Sequence, residues 1–217
     1  MELQGFINIG AMGGKKFAGM PDKACRPFDS AHEGFIYGQA GGCIILESGE
    51  SAENRGVASN MELAGGALVL DGNHLPDPNI KGEIRAMEKA VESALIGREE
   101  ISYINAHGSS SPLGDQTEVK AIENLFRENL KDIRVNSLKP YTGHCLYSAG
   151  IIEAIATIIQ MREGFLFPCL NLENPISDNI NFVNHHPLKI DIRTSMSNSF
   201  GFGGINSSII FRKKTEY

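Results

Sequence analysis

The 217-residue sequence predicts an α/β fold, a sheet layered with helices, on three observations. Short apolar runs alternate with stretches of helical periodicity, strand then helix, three times along the chain. The tail, from Lys189 onward, offers further strands that can pair with one another. One segment, 146–161, carries Leu146, Ala149, Ile151, Ile152, Ala154, Ile155, Ala156, Ile158 and Ile159. It is apolar nearly all round, the pattern of a buried helix, and it is expected to be the most buried element of the fold.

In order along the chain, residues 1–40 are glycine-rich and aperiodic and read as a connecting segment, with Gly10, Gly13, Gly14, Gly19, Gly34 and Gly38 marking turns. Gly41-Gly-Cys-Ile-Ile-Leu-Glu47 predicts a short buried strand, and a second strand follows from about Val57 to Val69. Asp71 to Pro78 is a loop held by two prolines. Ile80, Ile84, Met87, Val91 and Leu95 recur at helical spacing, which predicts a helix over 80–96 ended by Gly97. Ile101 to Ala106 is a strand that runs into His107. Asp115 with Glu118 three residues on has the form of a capping box, and Val119, Ile122 and Phe126 mark one face of the helix behind it. Arg134 to Ser137 is the next strand, then comes the apolar helix. Phe165 to Pro175 is a connection, Lys189 to Arg193 a strand, Ser197 to Asn206 a glycine-rich block and Ser207 to Phe211 the last strand. No repeat or linker divides the chain.

A net charge of −6 leaves no basic stripe to meet phosphates, which argues against a nucleic-acid or membrane-surface binder. No apolar run approaches the span of a bilayer, and the first residues, Met-Glu-Leu-Gln-Gly-Phe, have no basic region followed by an apolar core, so no signal peptide is expected in them. Cys25, Cys43, Cys145 and Cys169 have neither metal spacing nor a disulfide framework, so a reducing, cytoplasmic setting is expected.

His107 and His144 each follow a short buried strand of the same α/β unit. Loops beyond the strands' C-terminal ends converge on one crevice, so the two can meet. At the start of a buried helix, His144 is expected to be neutral, because the positive end of the helix dipole disfavours a second positive charge. A neutral imidazole donating N–H into a dry pocket suits the polarising of a carbonyl; a core histidine with its bonds satisfied is the bland alternative. Lys139 would be drawn into the same crevice and need a carboxylate, Glu118 or Glu153. Gly201-Phe-Gly-Gly204 has the composition of a tight turn whose N–H groups could hold an oxyanion, or of a turn and nothing more.

Four blocks in order carry a resemblance to a known family: Arg26-Pro-Phe-Asp with Gly34-Phe-Ile-Tyr-Gly38; Asn105-Ala-His-Gly-Ser-Ser-Ser-Pro-Leu-Gly-Asp115; Lys139 to His144 with Ala149, Gly150 and Glu153; and Asn198-Ser-Phe-Gly-Phe-Gly-Gly-Ile-Asn206. Over essentially its whole length the chain resembles the C-terminal half of a β-ketoacyl synthase of the thiolase superfamily, the condensing enzyme of fatty-acid and polyketide synthesis. The resemblance implies a thiolase-like half-fold, a mixed sheet of about five strands sandwiched between helices. It makes 1–217 one C-terminal ketosynthase domain, with 1–40 connecting to a missing N-terminal half. By resemblance, His107 and His144 hold the thioester carbonyl of a malonyl group, and Lys139 is a structural lysine paired with Glu118, with Glu153 close by. Ser109 and Ser111 stand where threonines usually touch the phosphopantetheine arm. Phe202 lends its N–H to the oxyanion hole and its ring to a gate, with Phe200, Gly201 and Gly203 beside it as substrate-binding positions. No cofactor or metal is implied, the substrates being carried on an acyl carrier protein. The other expected partners are the N-terminal half and further copies in a homo- or hetero-oligomer.

The sequence departs from the family pattern at Gln39, usually acidic, at Gly38-Gln-Ala-Gly-Gly42 and at Pro140, usually serine. None of the four cysteines has the context of the family nucleophile, which belongs to the N-terminal half. The readings are therefore a condensing ketosynthase fragment or subunit, a ketosynthase-like decarboxylase turning malonyl into acetyl on the carrier protein, and a non-catalytic partner subunit. A half of this fold should also leave an apolar face exposed.

Overall fold

A computed structural model describes residues 2–57, 60–74 and 77–214. Its elements in chain order are α1 (Glu2–Asn8), α2 (Gly49–Asn54), β1 (Met61–Leu70), α3 (Ile80–Ala94), β2 (Tyr103–Asn105), α4 (Pro112–Phe126), β3 (Arg134–Asn136), α5 (Lys139–Thr142), α6 (Ala149–Glu163), β4 (Phe165–Leu166), β5 (Leu188–Lys189), β6 (Thr194–Gly201) and β7 (Ile205–Lys213). Five strands form one mixed sheet in the order β1-β7-β6-β2-β3, as expected. β1, β7 and β6 are antiparallel neighbours, while β6, β2 and β3 run parallel.

Helices cover both faces. Ile210 of β7 points into the core that α3 and α4 build with Met87, Ala90, Val91, Val119, Ile122 and Phe126. On the other face Phe211 meets Ala154 and Met161 of α6 in a second cluster. Small residues let α3 lie close on the sheet edge. A Cβ on Gly65 would come within 2.5 Å of the Ala94 nitrogen, and β1 shifts register between Leu63 and Gly65. The Asn79 side chain caps α3 by accepting from the Lys81 N–H.

Several expectations need correction. Residues 1–40 are not all loop, since α1 opens them. Gly41–Glu47 is neither a strand nor buried; Ile45 is 92% exposed, and no strand among the described residues pairs with this segment. A strand is made by its neighbour's hydrogen bonds, which composition cannot supply. The strand expected from Val57 is β1, beginning at Met61; Ala58 and Ser59 lie outside the described residues, as do Leu75 and Pro76 of the loop that follows. α3 ends at Ala94, and Leu95 takes the left-handed cap (φ 54°) expected of Gly97. Residues 190–193 form no strand, and the glycine-rich block is instead the end of β6 and a three-residue turn into β7.

The apolar helix differs most. α6 begins at Ala149, after a 3-10 turn at Leu146–Ser148, and its buried face carries Glu153, Thr157 and Gln160 beside Ala154 and Met161. Ile151, Ile152, Ile155 and Ile158 are only half-buried, and Ile159 is 47% exposed. It is therefore not the most buried element of this chain. On the same side of the sheet Leu68, Leu70 and Ile205 are exposed, Leu70 lying opposite Ile205. No helix among the described residues is long and apolar enough to cross a membrane.

Candidate active site

β2, β3 and β6 are parallel neighbours, so the loops after all three leave the sheet at the same edge. The loop after β2 carries His107, Ser109 and Ser111. The one after β3 carries Lys139 and His144, and the turn after β6 carries Phe202. The rings of His107 and His144 meet with centroids 5.3 Å apart at 79°. Phe35 stands against His144 (5.1 Å) and Phe200 beside His107 (6.1 Å).

Two carboxylates of α4 shape the His107 loop. Glu118 accepts the backbone N–H of His107 on one oxygen and that of Gly108 on the other, both at 2.8 Å. Asp115 accepts from the Ser110 and Phe28 N–H groups and meets His32 Nδ1 at 2.8 Å. Neither belongs to a capping box, because the helix begins at Pro112 after Ser111. Gly108 (φ 41°) has no room for a Cβ, which would fall 2.7 Å from that of Ser137. Ser109 and Ser111 share a hydroxyl–hydroxyl bond of 2.8 Å.

Lys139 is fully buried, and its ammonium pairs with Glu153 at 2.5 Å. The same Nζ donates to the His107 carbonyl and stands 3.3 Å from His107 Nδ1. The expected Lys139–Glu118 pair is thus replaced by Lys139–Glu153. Glu118 is occupied by backbone N–H groups and by Asn198 Nδ2 at 3.3 Å, so it needs no cation to satisfy its oxygens.

His144 does not sit on a helix N-terminus. It lies in an extended loop bridged to Tyr37, its N–H donating to the Ile36 carbonyl and its carbonyl accepting from Gly38 N–H. Burial, and then the charge of Lys139, push its imidazole down to about 3. His107 is held well below the usual histidine range by burial, by Lys139 and by His144. Both rings are therefore neutral at pH 7, with desolvation rather than a helix dipole as the main cause. The Leu146 N–H donates to His144 Nδ1 at 3.1 Å, and the Lys139 ammonium faces His107 Nδ1. With both Nδ1 atoms as acceptors, the single proton of each neutral ring sits on Nε2.

Gly201, Phe202, Gly203 and Gly204 turn β6 into β7, with Gly203 (φ 79°) and Gly204 (φ 72°) left-handed. Phe202 is 38% exposed, and its ring stacks on Phe6. Sequence reasoning missed the anchor of this turn. The Asp71 N–H donates to the Gly204 carbonyl (3.0 Å), and Asp71 Oδ2 accepts from Asn206 Nδ2 (2.8 Å). Asp71 sits in a loop with no local signal, and the contact spans 133 to 135 residues of chain. Glu83, also missed, is buried with no hydrogen-bond partner for Oε2 among the described residues, and burial pushes it up to about 10. Cys25 and Cys169 are pushed up to about 12 by burial, the opposite of an activated nucleophile. Among the described residues, no cluster of three or more His, Cys, Asp or Glu could hold a metal.

The family model described as β-ketoacyl synthase, C-terminal domain, matches residues 61–173, just over half of the chain. The chain is 41% identical over 209 residues to the polyketide biosynthesis malonyl-ACP decarboxylase PksF of Bacillus subtilis (strain 168), covering 96% of this chain and 50% of that protein. It is 43% identical over 195 residues to the chloroplastic 3-oxoacyl-[acyl-carrier-protein] synthase II of Arabidopsis thaliana, covering 88% and 36%. The fold is similar to a type II polyketide ketosynthase solved in complex with its acyl-carrier protein, with a TM-score of 0.88, 31% identity, and coverage of 98% of this chain and 52% of that one. This chain spans half or less of the length of these two curated relatives.

Proposed function

Because this chain belongs to the β-ketoacyl synthase family, of which it carries the C-terminal domain, we propose that its two histidines jointly hold one thioester carbonyl while a malonyl group loses carbon dioxide. The observation that carries the reading is the matched pair of neutral rings, each with Nδ1 engaged as an acceptor and Nε2–H left to donate. The bond to the departing carboxylate breaks, its electron pair moves into an enolate, and the negative oxygen is held by the two Nε2–H groups. Lys139 cannot share that proton-donor role, since Glu153 and the His107 carbonyl occupy its ammonium; it fixes the His107 ring instead. The Phe202 N–H, in the turn held by Asp71, would serve a second oxyanion. Ser109 and Ser111 would meet the phosphopantetheine arm of the carrier protein, with Phe200, Gly201 and Gly203 lining the same approach.

In the condensing reading the enolate carbon attacks an acyl thioester carbon, and the thiolate that carried the acyl group leaves. That thiolate would come from an N-terminal half outside this chain, in keeping with the span of the relatives and with the raised thiols of the buried Cys25 and Cys169. The reaction needs no resident cofactor. A second reading has its own support, the similarity to a malonyl-ACP decarboxylase over nearly the whole chain. There the enolate takes a proton and acetyl remains on the carrier protein.

The test supplies malonyl-carrier protein, with and without an acyl donor, to the whole protein. Carbon dioxide release should fall roughly 10²–10³-fold in His107→Ala and in His144→Ala, with less than multiplicative loss in the double variant. A 3-oxoacyl product supports condensation and an acetyl product supports the second reading. Full decarboxylation by both well-folded variants would leave the histidines structural.

A further inference from the structure

Phe202 lies between two glycines, and its position is set by two contacts of different kinds. The carbonyl side of the turn is pinned through Gly204, where a Cβ would stand 1.8 Å from Asp71 Oδ1. The aromatic side rests on Phe6 of α1, with ring centroids 5.7 Å apart at 28°. Phe6 in turn meets Phe35 edge-on (5.3 Å, 80°), and Phe35 meets His144 (5.1 Å, 61°). The four rings form one continuous run from the glycine turn to the histidine pair.

The backbone reinforces that run. Ala11 N–H donates to the Phe6 carbonyl, Phe35 N–H to the Ala11 carbonyl and Gly13 N–H to the Phe35 carbonyl, each at 3.0 Å. A Cβ on Gly34 would fall 2.5 Å from the Gly13 nitrogen, so the two segments touch where side chains are absent. α1 is thereby tied to the strand-like segment that also pins His144 through Ile36 and Gly38. Phe6 cannot shift without moving either the Phe202 seat or the Phe35 ring behind the histidine.

We propose that Phe6 is a positioning residue, the seat that holds the Phe202 turn in register with His144. This rests on the catalytic reading above only for the consequence in rate; the seat itself is a matter of geometry. A stacked pair of this type is worth roughly a 2- to 10-fold bias in occupancy, enough to order the ring and weak enough to let it leave when a ligand enters.

The experiment uses the whole protein with Phe6→Ala, Phe6→Leu and Phe6→Tyr. Hydrogen exchange of the amides at 201–205 should quicken roughly 10-fold in the alanine and leucine variants, and the His144 ring resonances should shift. The tyrosine variant, which keeps a ring, should behave as the parent. The rate at saturating malonyl-carrier protein should fall roughly 10-fold in the first two, with KM changed less than 2-fold and recovery in the third. Leucine matching tyrosine would reduce Phe6 to filler and overturn the proposal, as would unchanged exchange at 201–205 in a folded alanine variant. Should the alanine variant fail to fold, the contrast between leucine and tyrosine decides the matter. Loosened amides without a change in rate would uphold the seat and count against the catalytic reading.

Discussion

At the scale of single residues, the buried charges decide most. Lys139 and Glu153 are both fully buried and paired with each other, so removing one leaves the other stranded. Lys139→Ala should cost about 3–5 kcal/mol in thermal or denaturant melts, and adding Glu153→Gln should recover part of that loss. Glu118→Gln should instead act on the His107 loop, because its oxygens hold two backbone N–H groups there. Glu83 offers a pH test. Its folded-state value, about 10, lies above that of an unfolded glutamate, so the folded chain holds this proton where the unfolded chain has released it. Stability is then highest below about pH 4.5 as far as this group is concerned, and falls as pH rises toward 10. Glu83→Met should flatten that decline and gain about 1–3 kcal/mol at pH 8, since an unpaired buried acid is replaced by an apolar chain of similar size. A melt series from pH 5 to 9 measures both.

At the scale of elements, the β6–β7 hairpin and α6 carry the clearest expectations. Gly204 is left-handed and pressed against Asp71, so Gly204→Ala should strain the turn and displace Asp71, lowering the melting midpoint and quickening exchange at 201–205. In α6 the polar residues Glu153 and Gln160 face inward because partners meet them there: Lys139 of α5 for Glu153, and Tyr103 and Asn136 of the sheet for Gln160. Its isoleucines are left half-buried, and Ile159 exposed. Ile155→Glu with Ile159→Glu should therefore leave the fold of the chain intact, as circular dichroism would report, while making the chain more soluble on its own.

At the scale of the whole molecule, Ile45, Leu46, Leu68, Leu70, Ile159 and Ile205 give this chain an amount of exposed apolar surface that water does not favour. Gly41–Glu47 adds a segment with no strand paired to it among the described residues, and the Ile152 and Ile155 side chains approach Gly42. The chain by itself should sediment as a dimer or as larger species, and a separately supplied N-terminal half should convert it to a defined complex. A clean monomer at all concentrations, unaffected by that half, would contradict this expectation.

Much of the site was legible in the sequence, because the signals are local. Strands that end at Asn105 and Asn136 place His107 and His144 on loops at one edge of the sheet, and glycines mark the turn at 201–204. The order of strands and helices followed from periodicity for the same reason: a side chain's direction along a helix or strand repeats with a fixed step. What only the tertiary structure decided are choices between partners far apart in sequence. Lys139 had two carboxylates within reach by spacing, and packing chose Glu153 because backbone N–H groups had already taken Glu118. Asp71 on Gly204, Phe6 under Phe202 and the half-buried isoleucines of α6 belong to the same class. Whether an apolar run is buried, or an extended one becomes a strand, depends on the surface that folding brings against it, and no local pattern contains that surface.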